Sequence, residues 1–257
     1  MDRRYLALLI SWSALFLITC TPSGITYRSQ QYALSAEQGG GEPAFERMIA
    51  PYRDSLDQSM SAPLAYSSSR LVRPVCGNAP SAEQTALVNF IADVWFKEST
   101  EAFMRETRIK PDFFLSTCGS VRGSLPQGTV TLGNVYELMP FDNYFVLVKL
   151  DHGVMADLFR YLAASDSNPV AGISMSIKDG KASDVLIAGK SYDSLQSYFV
   201  AISSYHATGG DNMPFFNEVK EAHPIELLFR DALINALTEM QHNGDTIKPD
   251  YEHRIKK

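Results

Sequence analysis

Apolar residues recur at the helical period in two places. Phe45, Met48, Ile49, Tyr52, Leu56 and Met60 predict an amphipathic helix over 45–60. Leu87, Phe90, Ile91, Val94 and Trp95 predict a longer one over Ala82–Thr100, with Ser81 as N-cap and Gln84 completing a capping box. Short apolar runs bounded by polar residues predict strands at Phe113–Leu115, Tyr144–Leu150 and Ser197–Ser203. Ile173–Ile177 and Val185–Ile187 read as two more, joined across Lys178-Asp179-Gly180 by a hairpin-type turn. Ala65–Val75 alternates loosely and suggests an edge strand. Further helices are expected at Thr131–Leu138, capped by Thr129 or Thr131 and ended by Pro140, and at Val154–Ala164. A closing helix over Pro224–Gln241 would have Pro224 in its first turn and Asn243-Gly244 at its end. The tail Asp245–Lys257 is polar and mixed in charge, and no internal repeat has a solenoid period. The mixture implies an α/β (α+β) fold of mixed sheets packed with helices.

The first residues follow a different pattern. Arg3 and Arg4 precede an apolar run from Leu6 to Ile18, which ends Leu17-Ile18-Thr19-Cys20. This reads as a signal peptide over 1–19, and its end resembles a bacterial lipobox, which implies lipidation of Cys20. A plain signal peptide, or a single membrane anchor, is the alternative; the run is short for a span. From Cys20 to Glu42 the chain is rich in Ser, Gln and Gly and reads as a flexible tether, leaving 43–257 as the folded domain. The expected place is the bacterial cell envelope, lipid-anchored, periplasmic or outer-membrane associated.

The 257 residues are 45% hydrophobic and 20% charged, enough for one sizeable core or two small ones. A net charge of −6 offers no basic surface for a nucleic-acid polymer, so any anion site must be local. Such a site is suggested after the strand at Phe113–Leu115, where Ser116, Thr117, Cys118, Gly119 and Ser120 form a small-residue loop followed by Arg122. A loop of this kind lets backbone N–H groups approach a ligand, and the guanidinium can clamp an anion with two hydrogen bonds. A surface salt bridge is the plainer role for Arg122. Phe141 follows a helix-ending proline and Tyr205 precedes Gly209-Gly210, so both aromatics sit at loop ends, where binding residues collect. Taken alone they read as ordinary core aromatics.

Four fragments in this order resemble the C-terminal domain of the 5′-nucleotidase family. Thr117-Cys118-Gly119-Ser120-Val121-Arg122 stands where the family has Asn-Gly-Gly-Gly-Ile-Arg. Pro126-Gln127-Gly128-Thr129-Val130-Thr131 stands for Pro-x-Gly-x-Ile-Thr, and Pro140-Phe141-Asp142-Asn143 for Pro-Phe-x-Asn. Tyr205-His206-Ala207-Thr208-Gly209-Gly210-Asp211 stands for Tyr-Leu-x-x-Gly-Gly-Asp. Asn89-Phe90-Ile91-Ala92-Asp93 is similar to Gly-Asn-Leu-x-x-Asp; the family's substrate-holding arginine before that helix is missing near Ser81, and Arg70 and Arg73 belong to the preceding strand. The likeness covers Ala82 to Phe216.

The resemblance implies a nucleotide site: Arg122 on the phosphate, Phe141 and Tyr205 stacked on the base, Asn143 at its edge and Asp211 on the ribose hydroxyls. Thr117 occupies the place of a base-contacting asparagine, and Gly119, Gly209 and Gly210 are the loop glycines. Cys118 and Ser120 replace two further glycines, which narrows or retunes the pocket. Cys76 and Cys118 flank this site; they are read as two buried thiols, with a disulfide as the alternative in an oxidising compartment.

The family hydrolyses its substrate with two metal ions held by an N-terminal domain through clustered His and Asp motifs. The five histidines here (His152, His206, His223, His242 and His253) lie in no such motif, and no nucleophile-elbow signature is present. The expectation is therefore a domain with no catalytic residue, no metal and no cofactor of its own. It would bind a nucleotide or related phosphorylated compound and present it to a separately encoded metallophosphoesterase, the subunit that holds the divalent metals. A structural or interaction lipoprotein with an empty pocket is the alternative, and an enzyme with an unrecognised site the third reading.

Overall fold

The computed structural model describes residues 43–77, 81–165 and 167–257. The expected signal peptide, Cys20 and the whole of the expected tether lie outside them. The chain divides into two compact units, Met1–Ala50 and Pro51–Lys257. Helix α1 (Pro43–Met60) forms as the spacing predicts, but none of its residues is buried: Phe45, Met48, Ile49, Tyr52 and Leu56 are all exposed.

The second unit is organised by a five-stranded sheet. Its strands are β2 (Phe113–Leu115), β4 (Tyr144–Leu150), β5 (Val170–Ala171), β9 (Tyr198–Ser203) and β10 (Ala222–Leu228), in the order β10-β4-β9-β2-β5. Side chains alternate across a strand, so a sheet covered on both faces needs apolar residues at every position. Phe114, Phe145, Leu147 and Ala201 face one core, shared with α2 (Ala82–Glu106) and α5 (Phe229–Asn243). Phe113, Leu115, Val146, Val148, Val200 and Ile202 face the other, shared with α4 (His152–Ala164). The continuous apolar runs in the sequence are this double burial. In the first core Trp95 Nε1 donates to the Phe229 carbonyl at 2.9 Å, and the rings of Phe145 and Phe229 stack 4.0 Å apart. A buried indole N–H is thus satisfied while its ring packs.

Two smaller sheets complete the unit. One joins β1 (Pro63–Ser67), β3 (Gly128–Thr131) and β11 (Thr246–Ile247); the other joins β6 (Ile173–Lys178), β7 (Lys181–Ile187), β8 (Lys190–Ser191) and β12 (Ile255–Lys256). Asp179 and Gly180 turn β6 into β7, both with positive φ, as a tight hairpin turn requires. Helix α3 (Leu132–Leu138) is capped by Thr131, whose hydroxyl accepts from Asn134 N–H.

Several expectations change. The closing helix does not begin at Pro224: 222–228 is strand β10, and the helix starts at Phe229. Pro224 is tolerated because β10 is a sheet edge, where its missing N–H breaks no ladder bond. The strand expected over Ala65–Val75 ends at Ser67 and is central rather than an edge, so Arg70 and Arg73 follow it instead of belonging to it. The helix expected to end at Thr100 runs on to Glu106. The polar tail, for which the sequence predicts no element, packs on the domain: Ile247 is buried, and Arg254 pairs with Asp93 and Asp250. Asn89 donates to the Asp250 and Glu252 carbonyls, so this part of the family-like helix motif serves as a clamp on the tail. Cys76 and Cys118 form a disulfide, not two free thiols.

Candidate nucleotide site

The topology brings distant fragments to one end of the strands of the large sheet. Strands β2 and β9 are parallel neighbours, so the loops after both leave from the same end. Strand β4 runs antiparallel to β9, with Phe145 opposite Ser203, so the segment entering β4 arrives there too. Hence Thr117–Arg122, Phe141–Asn143 and Tyr205–Asp211 converge although up to about ninety residues separate them. This is where ligand sites form in open sheets, at the mouths of strands.

Gly119, Ser120, Arg122, Phe141, Asn143, Tyr205 and Asp211 line one pocket of about 270 Å³. Six of these were singled out by sequence; Ser120 was noted only for narrowing the loop. The Arg122 guanidinium lies over the Phe141 ring, 5.2 Å from its centre, a cation–π contact that holds the cation at the pocket wall. Arg73, not part of that lining, donates from Nε to the Val121 carbonyl at 3.2 Å and so braces the loop from behind. Phe141 is half-buried against the first core, and Tyr205 is exposed at the rim.

Thr117 is not in this lining. It faces a neighbouring cavity of about 350 Å³ that shares Gly119 and Asp211 with the first and is also lined by Cys76 and Cys118. Its hydroxyl donates to Asp211 Oδ2 instead, so the expected base contact is not where the structure puts this side chain. Gly209 and Gly210 are not lining residues either. Gly209 takes a left-handed φ of 84°, and a Cβ on Gly210 would come within 2.5 Å of the Tyr205 ring. Gly210 therefore seats Tyr205, while a Cβ on Gly209 would meet the Asn217 amide. Asp211 and Asn212 follow with φ of 53° and 60°, conformations that side-chain-bearing residues adopt at a cost and that cluster at ligand sites.

His206 is the residue sequence reasoning missed. It is fully buried beside the pocket, its Nδ1 is 2.9 Å from Ser203 Oγ, and its Nε2 is 3.3 Å from Asp211 Oδ2. The histidine hydrogen bond, with that from Thr117, holds the Asp211 carboxyl at about 2, against the opposing pull of partial burial. The signal available was position: His206 sits where the family motif carries leucine. Among the described residues no three His, Cys, Asp or Glu side chains are grouped to hold a metal ion, and no helix is long and apolar enough to cross a membrane.

Residues 68–218 match the 5′-nucleotidase C-terminal domain family. The chain belongs to that family. It is 30% identical over 178 residues to a 5′-nucleotidase of Vibrio cholerae, covering 67% of this chain and 30% of the relative. It is 31% identical over 112 residues to the protein UshA of Escherichia coli, covering 42% of this chain and 20% of that one. Among solved structures it is similar to a 5′-nucleotidase precursor from Thermus thermophilus, with a TM-score of 0.64, 19% identity, and 84% of this chain against 43% of the other. It is also similar to a Haemophilus influenzae NAD nucleotidase, with a TM-score of 0.60, 17% identity, and 84% against 41%. The chain thus spans less than a third of the length of these curated relatives.

Proposed function

We propose that this family member is a nucleotide-binding domain. It is held at the cell envelope through a lipid on Cys20 and presents a nucleotide or related phosphoester to a separate metallophosphoesterase. The observation that carries the reading is the convergence of Arg122, Phe141, Asn143, Tyr205 and Asp211 on one pocket. Together they offer an anion clamp, two aromatic rings, an amide and an ionised carboxylate, which match the phosphate, base and sugar of a nucleotide in chemistry. The relatives named for 5′-nucleotidase activity support the same ligand class. The disulfide supports an oxidising compartment, where such bonds persist. In this reading no residue of this chain is catalytic: its share is to bind and orient, while the partner's metals would polarise the phosphate and activate water.

Titration calorimetry with nucleoside monophosphates tests the binding claim. Wild type should release heat. Phe141→Ala should weaken affinity by about tenfold or more if stacking is worth roughly 1–3 kcal/mol. Equal heats for wild type and a Phe141→Ala, Tyr205→Ala double variant would support the empty-pocket alternative instead.

A further inference from the structure

Two segments beside the pocket, 71–77 and 118–125, run past each other in opposite directions. Leu71 N–H donates to the Leu125 carbonyl at 3.0 Å, and Leu125 N–H donates back to the Leu71 carbonyl at 2.9 Å. Further along, Arg73 N–H donates to Ser124 Oγ at 2.8 Å, and Arg73 Nε to the Val121 carbonyl at 3.2 Å. At the far end stands the Cys76–Cys118 bond. These ties form a ladder whose covalent rung lies inside the site loop. Arg73 is also fixed from α2, since its carbonyl accepts from Gln84 Nε2 at 3.2 Å. Opening the disulfide would therefore fray the ladder from the site end, with Arg73 and Leu71 still held.

The two cysteines are unequally placed. Cys76 is exposed, whereas Cys118 is only 4% exposed. Both line the cavity of about 350 Å³ next to the pocket, which also takes in Gly119 of the site loop. An external thiolate thus meets the bond from the Cys76 side. Exposed disulfides are the ones that exchange, while buried ones resist.

We propose that the Cys76–Cys118 bond is a redox switch on the site loop: closed, it holds the loop ready for a nucleotide, and opened by a dithiol, it frees the loop and lowers affinity. This rests on the nucleotide-binding reading above and adds its regulation. The exchange has two steps. One thiolate of the dithiol attacks Cys76 Sγ, the Cys76–Cys118 bond breaks, and Cys118 leaves as a thiolate that takes up a proton. The second thiolate of the dithiol then attacks the dithiol's own sulfur in the mixed disulfide and expels the Cys76 thiolate, which is protonated in turn. The dithiol ends as a disulfide, and the protein has gained two electrons and two protons. A disulfide oxidant reverses both steps. The open state binds more weakly because the ligand must then order backbone that the bond otherwise holds.

The test uses the mature protein, dithiothreitol as the dithiol and AMP as the ligand. Titration calorimetry should show oxidised wild type binding AMP about tenfold more tightly than reduced wild type, the scale of ordering one residue's backbone. Reoxidation should restore the affinity. Cys76→Ser should bind as weakly as reduced wild type and ignore the reductant. Trapping with a monothiol, read by mass spectrometry, should place the mixed disulfide on Cys76. Hydrogen exchange of ligand-free protein reads the switch separately. On reduction the amides of 118–122 should exchange faster, while those of β4 and β9 stay protected; a merely structural bond would raise exchange throughout. Equal AMP affinity in the two redox states, a mixed disulfide on Cys118, or a reduced protein that has lost its fold by circular dichroism would overturn the proposal. If neither state binds AMP, the nucleotide reading falls by itself. Exchange at 118–122 then decides the switch, which stands if reduction speeds it and fails if it is unchanged.

Discussion

Cys76 and Cys118 are joined by a disulfide that closes a stretch of chain 42 residues apart, and its second end is fixed between Thr117 and Gly119 of the site loop. The bond ties the segment that follows β1 to the Thr117–Arg122 loop of the pocket. Cys118 is held a second way, since its backbone N–H donates to Asn168 Oδ1 at 3.2 Å. Cys76→Ser should therefore cost stability, by about 2–4 kcal/mol for a loop of this size. In a chain of this length that corresponds to a fall in Tm of roughly 5–15 °C. Differential scanning calorimetry with and without reductant should show the same fall in wild type and no further fall in the variant. A variant as stable as wild type would mean that the bond constrains little.

Gly210→Ala should separate binding from stability. The added Cβ would lie 2.5 Å from Tyr205 Cε1, too close for any real contact, but Tyr205 is 48% exposed and its ring can swing outward. The fold should keep its Tm within about 1 °C while nucleotide affinity falls about tenfold, as the ring loses its stacking place. Loss of fold in the variant, seen by circular dichroism, would show that Gly210 has a structural role beyond seating the ring.

Much of this was legible in the sequence because each signal was local. The capping box of Ser81 and Gln84 and the apolar runs of β2, β4 and β9 read correctly, and of the two caps offered, Thr129 and Thr131, the second is the one formed. Strand β10 was misread because Pro224 at the head of an apolar stretch suits a helix start as well as an edge strand, and only the partner strand decides. The packing of the tail was not legible, because Arg254 and Asp250 find their partners Asp93 and Asn89 161 residues away. His206 escaped for the same reason. Its partners Ser203 and Asp211 are near in sequence, but the hydroxyl that completes the cluster comes from Thr117, 89 residues away.

Asp211 gives the site an acid limit. Its carboxyl is lowered from 3.8 to about 2, chiefly by the His206 hydrogen bond. A carboxyl that is more acidic in the folded chain stabilises the fold fully above its unfolded value and loses that contribution as pH falls through the folded one. The window is therefore about pH 4 down to about 2. The side chain is 33% exposed, so solvent screening leaves a contribution on the order of 1 kcal/mol. Chemical denaturation at pH 5, 3 and 2 should show Asp211→Asn losing less stability than wild type across that range. Parallel losses would mean that Asp211 is not held by its neighbours in solution.

The chain alone should hydrolyse no nucleotide with added Mn²⁺, Zn²⁺ or Mg²⁺, and should redirect a metallophosphoesterase that does. Two-metal hydrolysis needs clustered ligands to clamp the attacking and leaving oxygens, and the described residues provide no such group. In the proposed role the pocket would hold a ligand by its phosphate, base and sugar, which would leave the reacting bond to be completed by another surface. Positioning of this kind acts only on substrates that fill the pocket. The mixture should therefore turn over nucleotides faster than the partner alone, by about tenfold or more if positioning recovers even a few kcal/mol of entropy, and leave a small aryl phosphate unchanged. Arg122→Ala should remove that gain, since the guanidinium over the Phe141 ring is the anion clamp of the proposed site. Phosphate release would be measured for the domain, the partner and the mixture. Metal-dependent turnover by the domain alone would refute the binding-only role, and equal stimulation of nucleotide and aryl phosphate would refute the presentation of substrate.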